Sequence, residues 1–182
     1  MNRMPRRRMH RQHGVTLLEI LVTIVITAFG LLGLASFITR SAAMTVESNQ
    51  RAGAAALLED MENRIRNNKA NAAAYVSATV HGAAVANCTD VAAGAARDLC
   101  EWNNLLIGAN DALTTDDGLT RLRFRGCITR PAAPAPVFVV TVAWGSSMLA
   151  TPPADPCGTG LFGEDGFRRV IRTVVRVPTL AA

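Results

Sequence analysis

The chain has 182 residues, with 19 Lys and Arg against 14 Asp and Glu, and its formal net charge is +5. Five arginines within the first 11 residues account for the whole excess, because the rest of the chain contains 14 bases and 14 acids. The positive charge is therefore confined to the amino terminus, and no nucleic-acid binding is expected of the remaining chain.

A long uncharged segment follows the arginines. Residues 20–39 carry no charged side chain, and as a helix at about 1.5 Å per residue they would cross a hydrocarbon core of roughly 30 Å. The arginines before this segment indicate a cytoplasmic amino terminus. Glu19 lies where the predicted span begins, and an ionisable side chain there is costly and needs a partner. Glu19 is therefore a candidate functional residue.

The residues around Glu19 form a recognisable signal. Gly14, Val15, Thr16, two leucines and Glu19 resemble the class III signal of type IV prepilins, in which a dedicated peptidase cuts after the glycine. The resemblance implies cleavage between Gly14 and Val15, methylation of the new amino terminus at Val15, and a helix that stays in the mature protein. The family usually has phenylalanine after the cut, where this chain has Val15. It also implies that Glu19 pairs with an amino-terminal ammonium, which is largely charged at neutral pH, from its own subunit or a neighbour.

Two other interpretations of the amino terminus are a secretory signal peptide and a plain signal anchor. The apolar region of a signal peptide is typically about 7 to 15 residues long and ends at a small-residue cleavage site, whereas residues 20–39 form a longer run. Translation starting at Met1, Met4 or Met9 is compatible with the pattern. A start at Met9 would leave a leader of six residues, 9–14, which is closer to the short leaders of the prepilin family.

The helical pattern continues to about residue 68 without a proline. Leu57, Leu58, Met61 and Ile65 recur at intervals of three and four, which predicts an apolar stripe covered by a globular domain. Three acids are each followed four residues later by an arginine, a spacing that supports a solvated helix face. These pairs are Glu47 with Arg51, Asp60 with Arg64, and Glu62 with Arg66.

The next two segments differ in character. Residues 70–96 are rich in alanine and poor in bulky side chains, and are interpreted as a loop or a variable region. Residues 97–106 regain helical spacing, with Leu99, Trp102 and Leu106 on one face. We expect this face to pack in the core.

Three strands are predicted in the last third of the chain, and together with the helices they predict an α+β head. In residues 119–128 one face is apolar, and the other is a row of Arg121, Arg123 and Arg125. Residues 137–144 are almost continuously apolar, as expected of a central strand. Residues 169–177 alternate less regularly. The turns between the strands, residues 131–136 and 152–166, contain the prolines and glycines that favour turns.

Cys88, Cys100, Cys127 and Cys157 all follow the predicted span, on the side that the topology places outside the cytoplasm, where disulfides form. Four cysteines allow three connectivities, of which Cys88 with Cys100 and Cys127 with Cys157 is favoured because each closes a neighbouring loop. A zinc site is poorly supported, since no pair of cysteines has zinc-ligand spacing and His81 is the only histidine after the leader. No cofactor-binding fingerprint is present, so no cofactor and no enzymatic activity are expected.

The resemblance can be narrowed to one group of minor pilins. Residues 57–68, Asp98-Leu99 with Trp102, the segment 140–144 and residues 30–35 are similar to the PilV family of type IV pilus modification proteins. This implies a low-abundance subunit that helps to prime pilus assembly and sits at the tip, with adhesion and motility as the processes served. The implied partners are a prepilin peptidase, other minor pilins, the major pilin, an inner-membrane assembly platform and inner-membrane lipid. The implied location is the inner membrane, with one span and a periplasmic head, and then the pilus on the cell surface.

The predicted domain organisation has four parts. The parts are a leader (residues 1–14), a membrane or filament-core helix (15–39), an amphipathic continuation (40–68) and the head (69–182).

Two alternative functions are compatible with the sequence. A minor pseudopilin of a type II secretion system has the same prepilin signal and the same long helix. A signal-anchored periplasmic binding domain, with Glu19 incidental, is the alternative from another class.

Overall fold

The structure is a computed structural model that describes residues 14–108, 124–131 and 137–178. It has the predicted α+β architecture, a long amino-terminal helix and a small antiparallel sheet with two disulfides. The helices are α1 (Leu17–Asn67) and α2 (Ala95–Ile107), with 3-10 helices at Lys69–Tyr75 and Asp165–Phe167. The strands are β1 (Ser77–His81), β2 (Arg125–Thr129), β3 (Val137–Gly145) and β4 (Arg168–Arg176).

The chain divides into two compact units, residues 1–42 and 43–182. In the first unit every described side chain, from Gly14 onward, is exposed. Helix α1 is long and apolar enough to cross a membrane, by length and composition. We call the second unit the head; it includes the carboxyl-terminal half of α1 as well as the sheet. The predicted leader lies outside the described residues except for Gly14.

The sheet is a meander in which each strand pairs antiparallel with the next, in the order β1-β2-β3-β4. Strands β3 and β4 are paired along their whole length, from Val137 opposite Arg176 to Gly145 opposite Arg168. Strand β3 is buried at most positions, because one face packs on the core and part of the other is covered by the segment that follows it. The prediction of a central apolar strand is therefore confirmed.

The core lies between the carboxyl-terminal half of α1 and one face of the sheet. The buried stripe on α1 consists of Ala54, Leu58, Met61 and Ile65, while Leu57 is only partly buried at its margin. From the sheet, Phe138, Val140, Val142 and Trp144 alternate along β3 with residues of the opposite face. The predicted helical stripe is confirmed in its spacing, because the helix packs on the sheet along one face only.

Helix α2 packs against the core through Trp102, which is fully buried. Its indole Nε1 donates a hydrogen bond to the carbonyl oxygen of Leu57 on α1 at 3.0 Å. Gly126 on β2 lies directly under the indole ring: a Cβ at this position would overlap the ring and would lie 2.7 Å from Cδ1 of Leu106. Glycine at position 126 therefore allows α2 to approach the sheet closely.

Gly126→Ala should lower the free energy of unfolding by about 1–3 kcal/mol, the usual cost of overpacking a well-filled core. Urea unfolding of the full chain in detergent, followed by near-ultraviolet circular dichroism, would measure it. The matched control is Gly33→Ala, because Gly33 has no heavy atom within 4 Å of the position of an added Cβ among the described residues. Equal unfolding midpoints for Gly126→Ala and the wild type would contradict the close approach of Trp102.

The interpretation of residues 70–96 as a loop was wrong in its first part. A 3-10 helix occupies Lys69–Tyr75, and Ser77–His81 form the edge strand β1, which pairs with β2 at Ser77 opposite Ile128 and His81 opposite Gly126. The pairing is interrupted by a bulge, and the three central residues of β1 are exposed. A strand that buries almost no side chain has no apolar alternation by which the sequence could predict it.

Two of the three predicted helix-surface ion pairs form: Arg64 Nε lies 2.9 Å from Asp60 Oδ2, and Arg66 Nη2 lies 2.6 Å from Glu62 Oε1. The prediction that Glu47 faces Arg51 was wrong. The Glu47 carboxylate instead accepts a hydrogen bond from Ser146 Oγ at 2.6 Å, and its Oε1 lies 3.8 Å from Arg169 Nε. Partners from the sheet replace the local helical partner because Glu47 is turned toward the sheet.

The other predicted elements begin at different residues in the structure than the sequence predicted. The predicted strand 119–128 corresponds to β2, which begins at Arg125; Leu122, Arg121 and Arg123 lie outside the described residues. Gly126 and Ile128 face the core, and Arg125 and Cys127 are half-buried on the opposite face. Helix α2 and strand β4 each begin before the predicted residues 97 and 169.

Candidate functional site

Residues 14–16 are not helical, and α1 begins at Leu17 with Thr16 as its cap. The backbone N–H of Glu19 donates to Thr16 Oγ1 at 3.3 Å, which satisfies one of the amide groups that a helix start leaves unpaired. The bond between Gly14 and Val15 therefore lies in exposed backbone immediately before the helix, where an enzyme can reach it.

Gly14 has no structural requirement for glycine within the described part of the chain. No heavy atom lies within 4 Å of the position that a Cβ would take. A glycine that the local fold does not need is consistent with recognition by another protein.

Thr16 and Glu19 have the Ser/Thr-x-x-Glu spacing of a capping box, a signal that our sequence analysis missed. The half in which Thr16 accepts from the Glu19 amide is formed. The carboxylate of Glu19 has no hydrogen-bond or ion-pair partner among residues 14–108, 124–131 and 137–178. The side chain is therefore available to a group outside this subunit or to the mature amino terminus.

Hydroxyl groups farther along the apolar helix, unlike the Glu19 carboxylate, have hydrogen-bond partners within the helix. Thr23 Oγ1 donates to the Ile20 carbonyl at 2.8 Å, and Thr27 Oγ1 donates to the Thr23 carbonyl at 2.6 Å. Thr39 Oγ1 donates to the Ser36 carbonyl at 2.9 Å. These side chains satisfy their own donors within the helix, as hydroxyls in a membrane must. The Glu19 carboxylate cannot do so, because it needs a donor or a cation.

The apolar surface of the first unit is far larger than a soluble protein exposes. Leu17 is 78% exposed and Phe29 is 71% exposed, and every other large apolar side chain between them is at least 48% exposed. Contiguous exposed apolar patches of this extent mark a membrane or protein interaction surface. The helix therefore requires lipid or other apolar helices around it.

Both disulfides favoured by the sequence form in the head, Cys88 with Cys100 and Cys127 with Cys157. The first joins the segment after β1 to α2, and the second joins β2 to the segment between β3 and β4. In the chain-entropy model loops of these sizes contribute roughly 3 to 4 kcal/mol each to stability. The cysteines thus belong to the head, whereas Gly14, Val15 and Glu19 belong to the first unit.

A polar cluster that our sequence analysis missed joins α1 to α2. Arg64 Nη1 lies 3.1 Å from Asp98 Oδ1 and 2.8 Å from Glu101 Oε2, in addition to its contact with Asp60. Tyr75 Oη donates to Asp98 Oδ2. Burial and this hydrogen bond raise the pKa of Tyr75 to about 12. Burial alone would lower the pKa of Arg64, but the hydrogen bonds to Glu101 and Asp60 outweigh it and raise the pKa above its usual value. The cluster therefore fixes α2 on α1.

Arg168, at the start of β4, is a buried cation, with 2% of its surface exposed. It donates to both carboxylate oxygens of Asp165, at 2.6 and 3.0 Å. It also donates to the carbonyls of Pro153 at 3.0 Å, Asp155 at 2.6 Å and Cys157 at 2.9 Å. The hydrogen bonds from Arg168 hold the pKa of Asp165 below its usual value. Arg168 therefore fixes the segment between β3 and β4 to the sheet.

Comparison with known families identifies a match at the amino terminus. The family described as "Prokaryotic N-terminal methylation motif" matches residues 9–35, which include Gly14, Val15 and Glu19. Neither the curated proteins nor the solved structures contain a match to the chain.

This motif indicates a protein of the type IV pilin or pseudopilin class. It implies processing by a prepilin peptidase and interaction with other pilin-class subunits. The motif and the apolar helix are consistent with anchoring in the inner membrane.

Proposed function

We propose that this protein is a minor pilin that helps to prime assembly of a type IV pilus and sits at its tip. The observation that carries the proposal is the unpartnered carboxylate of Glu19, at the start of a helix whose side chains are all exposed as far as Ala42. The role is structural, with no catalytic step.

Assembly into a bundle of similar helices would satisfy both features at once. Lateral packing would cover the exposed apolar side chains, and an amino-terminal ammonium from the neighbouring subunit would pair with Glu19 in a low-dielectric environment. Two opposite charges buried together cost far less than either buried alone, so the pair also sets the register between helices. An amino terminus created at Val15 lies close to the helix start and is positioned to take part.

The finer assignment depends on the similarity of residues 57–68 and of the segment around Trp102 to the PilV minor pilins. In the structure these residues include the ion pairs of Arg64 and the contact of Trp102 with Leu57, which join α1 to α2. The head would lie in the periplasm before assembly and on the pilus afterwards. Two disulfides in the head agree with an oxidising compartment. The assembly platform, other minor pilins and the major pilin are the proposed partners.

In the pseudopilin alternative, the subunit primes a type II secretion system instead of a type IV pilus. A clean deletion of the gene, complemented in trans, should abolish or strongly reduce surface pili and twitching motility while leaving secretion of type II substrates at the wild-type level. A loss of secretion with normal piliation would assign the protein to a type II secretion system instead. Normal pili and normal secretion would contradict both assignments.

The mature protein should begin at Val15 with a methylated amine. Intact-mass measurement of the protein extracted from membranes, with and without the prepilin peptidase, would show removal of residues 1–14. A protein cleaved near Ala35, or not cleaved, would contradict the proposal. Gly14→Val serves as the uncleavable comparison, because no packing contact in the described chain depends on Gly14.

A further inference from the structure

The sheet of the head has two edge strands, and they are protected to different degrees. Strand β1 has five residues, and a bulge between Ser77 and His81 interrupts its pairing with β2. Strand β4 has nine residues, and each of them pairs with β3 in an unbroken register. Short or bulged edge strands discourage pairing with another chain, whereas a long, regular edge strand can accept one. Strand β4 is therefore the edge at which a further strand can be added.

The outer side of β4 has unused backbone groups. A strand directs its backbone N–H and carbonyl groups to both sides, and those on one side of β4 bond to β3. On the other side, the backbone of residues 170–176 forms no hydrogen bond with any residue that the structure describes. A segment lying along this side would find donors and acceptors already in strand geometry.

The side chains of β4 alternate between two faces of the sheet. One face lies against α1, where Thr173 Oγ1 donates to Glu62 Oε2 at 3.1 Å. On the opposite face, Arg168 at the start of the strand is buried, but the later residues are exposed. These exposed residues, which we call the arginine edge, are Arg172, Val174 and Arg176. The arginine edge is the part of β4 that the side chains of a partner can contact.

The arginine edge presents two positive charges that no described residue neutralises. Arg172 and Arg176 form no ion pair in the described part of the chain, whereas the two arginines at the start of β4 each lie beside a carboxylate. Strand β4 itself contains no acid. The two arginines are four residues apart, about 13 Å along a strand, with Val174 between them. A complementary strand would carry an acid, an apolar residue and an acid at alternate positions, because opposite charges directly across two strands attract.

Neither edge strand of a second copy of this chain has this pattern. If two β4 strands paired antiparallel along their full length, Arg172 would lie opposite Arg172, and Arg176 opposite Arg168. Like charges directly opposite each other destabilise a strand pair. The other edge strand, β1, has the sequence Ser-Ala-Thr-Val-His and also carries no acid. The charges of the arginine edge therefore favour a strand from a different protein.

We propose that the outer side of β4 binds an extended acidic segment of another protein, which adds a fifth strand to the sheet. Two carboxylates of that segment pair with Arg172 and Arg176, and an apolar side chain between them lies on Val174. The backbone of residues 170–176 provides hydrogen bonds that are independent of sequence, and the arginine edge selects the acidic pattern. The proposal goes beyond the assembly role of Glu19 and depends only on the head.

The test uses the full mature chain, purified in detergent, and a fluorescent peptide of the same length as β4 as the probe. The peptide alternates valine and threonine from a first valine, with glutamate in place of valine at its third and seventh positions. The matched control peptide has lysine at both positions. Fluorescence anisotropy should show that the glutamate peptide binds at least about tenfold more tightly than the lysine peptide, since two attractive pairs replace two repulsive ones.

The double variant Arg172→Glu, Arg176→Glu should reverse this preference. Both side chains are exposed, so the head is expected to stay folded. The matched control is Arg51→Glu, because Arg51 is also exposed and forms no ion pair with the described residues but lies on α1. This control should keep the preference of the wild type.

Amide hydrogen exchange identifies the edge that the peptide occupies. Binding should slow exchange in residues 170–176 and leave β1 unchanged. Equal affinity for the two peptides, no binding of either, slower exchange at β1 alone, or loss of the preference in Arg51→Glu would each overturn the proposal. Slower exchange of β4 at high protein concentration without peptide would place a second copy there and would also overturn it. None of these measurements depends on piliation, so failure of this proposal and failure of the pilus proposal are distinguishable.

Discussion

Glu19→Ala should leave cleavage after Gly14 and insertion into the membrane unchanged, while co-purification with other pilin-class subunits falls steeply. The span becomes more apolar without the carboxylate, so the free subunit remains as stable in the bilayer as before. The partner's ammonium, in contrast, loses its counter-charge inside the helix bundle. Removing one member of a buried ion pair costs about 3 kcal/mol or more, which is roughly a hundredfold in an association constant.

A second substitution at the same position separates charge from helix capping. Glutamine at the third position of a helix can take part in a capping box as glutamate does. If the function of Glu19 is to pair with an ammonium, Glu19→Gln should therefore behave like Glu19→Ala. If its function is to cap the helix start together with Thr16, Glu19→Gln should behave like the wild type. Piliation and pull-down of tagged minor pilins would be measured for both variants.

The matched control for these variants is Glu59→Ala. Glu59 is an exposed carboxylate on the same helix with no hydrogen bond among the described residues, and its removal should not affect assembly. Wild-type incorporation of Glu19→Ala, or an equal defect in Glu59→Ala, would show that Glu19 is not the assembly determinant.

Arg168→Ala should lower the free energy of unfolding of the head by about 3 kcal/mol or more, because three carbonyl oxygens lose a buried donor and the Asp165 carboxylate loses its cation. Arg168→Lys should give an intermediate loss, since an ammonium cannot reproduce the planar five-donor arrangement. Urea unfolding of the oxidised full chain in detergent would measure both variants.

Arg172→Ala provides the comparison for Arg168 on the same strand. Arg172 is exposed and makes no ion pair with the described residues, so its removal should change stability by no more than about 0.5 kcal/mol. If Arg168→Ala does not accumulate, the folded yield and unfolding of Arg168→Lys still test the role. Equal stabilities for the Arg168 and Arg172 variants would contradict the anchoring role of Arg168.

The elements that could be predicted from the sequence are those in which buried side chains recur at a regular spacing. Helix α2 and strand β3 bury residues at helical and strand spacing, so the stripe of Trp102 and Leu106 and the run 137–144 indicate them directly. Strand β1 is held by backbone pairing with β2 and leaves Thr79 exposed, so its sequence carries no such period. The disulfides could be predicted because each joins consecutive cysteines in the chain.

The candidate site was predictable where the chemistry is local. Gly14, Val15 and Glu19 lie within six positions, so their motif is visible without a fold. The Thr16 cap was equally local and was overlooked. Arg168 could not be predicted to be buried, because the carbonyls of residues 153–157 that accept its hydrogen bonds become close only when the segment folds back on β4. The partner of Glu47 was mistaken for the same reason, since Ser146 is 99 positions away.

The contacts that join α1 to α2 have a consequence for export. Trp102 with Leu57, Arg64 with Asp98 and Glu101, and the Cys88–Cys100 disulfide all lie between residues 57 and 102. A chain that crosses the membrane from its amino terminus can complete this whole set before β3 and β4 have emerged. The non-covalent contacts of this set span 34 to 45 positions and need no residue after Trp102. We therefore expect the helical half of the head to form first and to provide the surface on which the later strands assemble. Val140 and its neighbours on β3 can then be buried against this surface as soon as they emerge.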